Sequence, residues 1–179
     1  MRKQVEQNEY APYYQPYVEL VPEGDLIQLL SEQMEQTIAA LEKITDTQAE
    51  FRYAEGKWSI KEVIGHMIDT ERIMAYRLLA IARGERRNLP GFNEEEYVQQ
   101  ASFTKQTVEE LLQNLSIVRQ STIVLLKSLC SEEWLRRGSA NDCDITVRAL
   151  AVIIAGHELH HRNIISERYM NADSVLNQS

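Results

Sequence analysis

Apolar residues recur at helical spacing along four long stretches of the chain. From residue 25 onward they are Leu26, Leu29, Leu30, Met34, Ile38, Leu41 and Ile44, the recurrence of one helical face. A second stretch opens at Ser59 with Glu62 three residues on. This capping-box pattern starts a helix that runs to about Arg83, where Gly84 is a natural stop. Thr107 and Glu110 repeat the pattern ahead of Leu111, Leu115, Val118, Thr122, Leu125 and Leu129. Thr146 caps a fourth helix from Val147 to about Met170. No stretch alternates convincingly as a strand does. Four long amphipathic helices predict an all-α four-helix bundle.

The segments between and around the helices are polar. Residues 1–24 hold Pro12, Pro16 and Pro22 together with Tyr10, Tyr13, Tyr14 and Tyr17, which predicts an irregular N-terminal arm packed by its aromatics. Residues 51–58 and 131–145 read as connections, the second with Trp134, Gly138 and an Asn141-Asp142 turn. Residues 84–103 read as a long loop with a Pro90-Gly91 turn. A loop of that length in a compact domain is often functional. Its Glu94, Glu95 and Glu96 are expected to be a solvated or capping run rather than a cation site. Residues 172–179 are expected to form a flexible tail. The organisation is therefore arm 1–24, bundle 25–171 and tail 172–179.

Composition narrows the function. The 179 residues suit one domain, and the formal net charge is −8. That acidity argues against duplex nucleic acid and against an anionic membrane surface as partners. No apolar run approaches the ~20 residues that span a bilayer. Residues 1–17 have no apolar signal-peptide core, and Cys130 and Cys143 match no finger or CxxC spacing. A cytoplasmic location is the expectation.

The four histidines carry the candidate chemistry. At ~100° per residue, His157 and His161 lie ~40° apart, inside the apolar stripe of Leu150, Ile154, Ile164 and Ile165. His160 points ~100° away from His161. His66 shares a side of the second helix with Val63, Thr70, Ile73 and Ile81. Two facing helices can thus bring His66, His157 and His161 to one point. Three neutral imidazoles around a divalent ion leave coordination positions open, the catalytic pattern, and zinc or nickel suits such a set. The alternative is that each histidine is simply hydrogen-bonded in the core. Burying two at i, i+4 without a shared partner is costly, however.

The run Trp58-Ser59-Ile60-Lys61-Glu62-Val63-Ile64-Gly65-His66-Met67-Ile68-Asp69-Thr70-Glu71, and far downstream Gly156-His157-Glu158-Leu159-His160-His161-Arg162-Asn163-Ile164, resemble the DinB-like superfamily of four-helix metalloproteins. The resemblance covers roughly residues 20–170. It implies an up-up-down-down bundle, a metal site on His66, His157 and His161, and a homodimer. It also implies transfer of a low-molecular-weight thiol such as bacillithiol to an electrophile. Hydrolysis at the same metal, or a non-catalytic stress-related metal-binding bundle, are the alternatives.

Other residues are weighed beside these. Asp69, ~60° from His66 on the helix wheel, is a candidate catalytic or water-positioning carboxylate, or else a surface acid. Glu158 is a candidate general base, or else a partner of Arg162 at i+4. His160 and Arg162 read as surface or interface groups, and Trp58 as a packing anchor. Arg72 and Arg77 can bind a carboxylate, but solvated salt bridges are the expected state.

Overall fold

The computed structural model describes residues 5–170 of the chain. Its frame is four long helices: α2 (Leu26–Leu41), α4 (Ile60–Ala82), α6 (Val108–Lys127) and α8 (Val147–Ile164), the last continued by a π-helical turn over Ile165–Met170. Each starts where a side chain satisfies free backbone N–H groups. The Asp25 carboxylate accepts from the amides of Ile27 and Gln28. Ser59 with Glu62 and Thr107 with Glu110 form complete capping boxes, and Thr146 accepts from the Ala149 amide. No helix among the described residues is long and apolar enough to cross a membrane.

α4 packs on α6 and α8, and α2 packs on the same two. Around the bundle the order is therefore α2, α6, α4, α8. Contacts Gln33–Ala155, Thr37–Glu158 and Gln36–Arg162 advance together, so α2 and α8 are parallel. Tyr169 donates to the Trp58 carbonyl, while Arg136, ahead of α8, reaches the Ala82 carbonyl; α4 is antiparallel to α8. The Val108 amide meets Asp46 just past α2, and Arg119 meets the Leu30 carbonyl, so α6 runs against α2. The directions are up, down, down, up, a correction to the up-up-down-down order. The physical reason is the long connection 83–107, which returns the chain along the bundle and lets α6 run parallel to α4.

The connections hold more structure than their sequence suggests. Residues 131–145 contain α7 (Ser131–Trp134) and a hairpin, β1 (Arg137–Ala140) with β2 (Cys143–Thr146). Asn141 and Asp142 both take positive φ, 54° and 60°, as a two-residue hairpin turn requires. The other short helices are α3 (Asp46–Ala49) and α5 (Glu94–Gln100).

The arm is not irregular. It forms α1 (Gln15–Leu20), with Pro16 in its first turn where a missing N–H costs nothing, and α1 lies along α8. Glu9 ties the arm down: it is buried, accepts from the Thr146 hydroxyl and pairs with Arg148. Gly156 lets the arm approach, because a Cβ there would stand 2.0 Å from the Tyr17 carbonyl oxygen. Gly156→Ala is therefore expected to cost about 1–3 kcal/mol through overpacking, despite alanine's better helix propensity. Urea unfolding, with limited proteolysis of the arm, is the check. Residues 171–179, and so the expected tail, lie outside the described residues.

Candidate metal centre

Three imidazoles converge between α4 and α8. His66 Nε2 is 3.1 Å from His157 Nε2, and His161 Nε2 is 3.2 Å from His157 Nε2. One nitrogen from each of the three lies within 4.8 Å of those of the other two. A tetrahedral ion with ~2.05 Å bonds to nitrogen needs donor–donor edges of ~3.3 Å, close to the spacings seen. The spacing follows from the helix: i and i+4 put His157 and His161 one turn apart, and antiparallel α4 lays His66 across them. Gly65, beside His66, leaves room for the ring of Phe103, since a Cβ there would be 2.3 Å from it.

The imidazoles are neutral at pH 7. Burial lowers the pKa of His66 to about 4, with nearby His160 adding to the effect. Burial, then His66 and His160, lower His161 to about 3. His157 is pushed well down by burial and by the other three histidines. The chemistry fits a cation: three converging lone pairs cannot all be satisfied by hydrogen bonds to one another, and neutral imidazole is the ligating form. Thr70 Oγ1, 3.5 Å from His66 Nδ1, stands on the far side of that ring.

These shifts set the pH response of the metal-free protein. The unfolded chain takes up protons near pH 6.5, whereas the folded His66 and His161 resist until about pH 4 and 3. Stability is thus fully present above pH 6.5 and is expected to fall as pH drops from 6.5 toward 4, at about 1.4 kcal/mol per unit per group. Chemical denaturation of chelator-treated protein at pH 7.5, 6 and 5 measures it.

α5 supplies what the sequence did not announce. Asn93 caps it and aims its acidic first turn at the histidines. Glu94, expected to be solvated, places Oε2 3.4 Å from His66 Nε2. Burial raises the Glu94 pKa, with Glu95 beside it adding to the effect, while His66 is lowered; the contact joins a carboxylate to a neutral ring rather than forming an ion pair. Glu95 accepts from the Trp58 indole, whose ring lies against His66 at 4.8 Å between centroids. The signal for Glu94 was only its place in a long loop.

The two candidate carboxylates go elsewhere. Asp69 receives a 3.3 Å contact from Arg72, itself bonded to Asn114, so the supporting place beside His66 belongs to Thr70. Glu158 is buried and held by the Thr37 hydroxyl and Arg119, not by Arg162, which bonds Gln36. Arg119 also chelates Glu71 and bonds the Leu30 carbonyl, so this buried network ties all four long helices together. A carboxylate so engaged is not a free base. His160 meets the Tyr17 ring at 5.2 Å, outside the cluster, as its helix angle predicts. Arg72 is half-exposed in its salt bridge as expected, whereas Arg77 is buried without one.

Besides a void of about 10 Å³ beside His157, two roomier cavities reach the imidazoles and share no lining residue with one another. One, about 150 Å³, runs between the arm and α4 to His157; the other, about 260 Å³, runs from Trp58 and Tyr169 to His161. A larger concavity, about 930 Å³, lies between α2 and α6 and is lined by no histidine.

Comparison with known proteins agrees with the geometry. YfiT from Bacillus subtilis, described as a probable metal-dependent hydrolase with an unusual four-helix bundle topology, superposes with a TM-score of 0.74 at 22% identity, over 83% of this chain and 86% of that one. The DinB-like protein YjoA from Bacillus subtilis superposes with a TM-score of 0.60 at 20% identity, over 84% and 92%. In sequence, the chain is 28% identical over 120 residues to "Putative metal-dependent hydrolase OB0413" from Oceanobacillus iheyensis, covering 66% of this chain and 68% of that protein. The DinB superfamily profile matches residues 29–165, most of the chain, and with the histidine-bearing bundle already in view, the chain belongs to the DinB superfamily.

Proposed function

We propose that the protein is a metal-dependent enzyme that holds one divalent ion on His66, His157 and His161 and transfers a low-molecular-weight thiol to a small electrophile. The observation that carries this reading is the convergence of three neutral imidazoles between two separate cavities. A bound zinc or nickel ion would supply a Lewis acid that lowers the pKa of a water or a thiol.

The chain's own residues do the rest. Trp58 and Tyr17 wall His66 and His157 with their rings, at 4.8 and 5.5 Å. Among the described residues, Glu94 is the carboxylate within ion-pair distance of the cluster, so its Oε2 is the atom placed to accept the thiol proton. The sulfur–carbon bond then forms as the electrophile's leaving group departs. One cavity ends at His157 and the other at His161, an arrangement that suits two organic substrates and favours transfer over hydrolysis. Hydrolysis is the second reading, supported by the hydrolase descriptions of OB0413 and YfiT.

The test combines zinc- or nickel-loaded protein with a cysteinyl thiol and an activated aryl halide, following thioether formation. Glu94→Gln is expected to lower kcat by about 10²–10⁴-fold with metal content unchanged. Thioether formation no faster than in protein-free buffer, together with hydrolysis of an ester or amide probe, would decide for the second reading.

A further inference from the structure

We infer that the cavity between the N-terminal arm and α4 is an anion subsite, in which Arg77 holds a carboxylate or phosphate group of a small substrate whose reacting end lies at His157. The inference deepens the proposed function and rests on it for the identity of the reacting end; the subsite itself stands on the geometry around Arg77.

Arg77 is only 3% exposed, yet no carboxylate among the described residues lies within ion-pair distance of it. The other well-covered arginines show what a structural role looks like: Arg119 is paired with Glu71 and Glu158, and Arg148 with Glu9. Burying a guanidinium without a counter-charge is costly, so the fold retains Arg77 at a cost that packing alone does not explain.

Its neighbours orient the group without neutralising it. Nη2 donates to the Pro90 carbonyl at 2.6 Å, Nη1 touches the Met74 sulfur at 3.6 Å, and the Phe92 ring lies 5.9 Å from Cζ. The Tyr14 phenol oxygen feels the charge and is placed to accept from the guanidinium. Nε has no partner. A guanidinium fixed in this way presents an unused donor, the geometry suited to an oxyanion.

The space in front of it is the 150 Å³ cavity, lined by Arg77, Tyr14, Tyr17, Phe92, Glu94 and His157 among others. That volume holds about five water-sized groups, enough for the anionic end of a substrate and a short linker. Arg77 and His66 are eleven residues apart on α4, ~16 Å of helix rise, and helical side chains lean toward the N-terminus, which tilts Arg77 toward the histidines. The substrate class is thus a small molecule with an anionic oxygen group several bonds from its reacting atom. In a chain of net charge −8, this local cation also distinguishes the cavity from the surrounding surface.

Calorimetric titration with sodium succinate and with inorganic phosphate, at fixed ionic strength in chloride, tests the inference on wild type, Arg77→Met and Arg77→Lys, each metal-loaded and chelator-stripped. Wild type is expected to bind one of the two anions saturably in both metal states, and the preferred anion identifies the group. Arg77→Met is expected to bind at least tenfold more weakly, with Arg77→Lys between, and with metal content and melting temperature no lower than wild type. Absence of saturable binding to stripped wild type overturns the inference, whatever becomes of the variants. So does Arg77→Met binding as wild type does; if that binding also vanishes on stripping, the anion sits on the metal. Because the stripped protein carries the decisive arm, failure of the metal reading leaves this result independent.

Discussion

Replacing Arg119 with alanine is expected to destabilise the protein by about 3–5 kcal/mol, the cost of leaving buried carboxylates without their cation. Arg119 is fully enclosed, and its three nitrogens reach Glu71 on α4, Glu158 on α8 and the Leu30 carbonyl on α2. Burial works against its charge, but the two carboxylates more than offset it and hold its pKa above the usual arginine range. Removing the guanidinium leaves Glu71 and Glu158 facing one another in the interior. A triple replacement of Glu71, Arg119 and Glu158 by methionine is expected to recover part of the loss, because the penalty comes from the unpaired charges rather than from lost packing. Urea unfolding of the single and triple variants measures both effects. The network also reaches function, since Glu158 adjoins His157 and braces its helical turn.

The second large effect concerns the ligands. His157 is the central imidazole, within 3.2 Å of both other Nε2 atoms, so His157→Ala is expected to remove metal binding altogether. The loss exceeds the ~10–100-fold that follows removal of a supporting group. Because a ligand stabilises the state that binds it, adding metal at a hundred times Kd is expected to stabilise wild type by about 2.7 kcal/mol and the variant not at all. Thermal denaturation with and without zinc or nickel measures this increment. Equal increments in the two proteins would place the ion elsewhere.

How much of this was legible in the sequence depends on the range of the interaction. The long helices were readable because their causes are local: Ser59 with Glu62, Thr107 with Glu110 and Thr146 are caps, and the apolar recurrence marks the buried faces. The histidine pair was readable for the same reason, as i, i+4 inside an apolar stripe. The hairpin was visible only as the Asn141-Asp142 turn, because four-residue strands are too short to show alternation.

Contacts between distant segments were harder. Glu94 reaches His66 only because a short capped helix folds the 84–103 segment over α4, and nothing periodic in the sequence encodes that. The helix directions likewise depend on where the long connection travels. A signal for the charge network did exist: Glu71 follows Met67 by four, Arg119 follows Leu115 by four and Glu158 follows Ile154 by four, so all three fall on apolar stripes. Opposite charges on facing stripes are expected to meet. Arg77 falls on the α4 stripe in the same way, between Met74 and Ile81, but no acid among the described residues forms an ion pair with it.

His66, His157 and His161 are expected to hold one divalent ion together. Metal analysis and X-ray absorption on protein purified without chelator or affinity metal test it most directly. About one ion per chain is expected, with three imidazole nitrogens at ~2.0–2.1 Å and at least one exchangeable light-atom ligand. Protein with no stoichiometric metal and no uptake from added zinc or nickel, or an ion retained at full occupancy in His157→Ala, would contradict it.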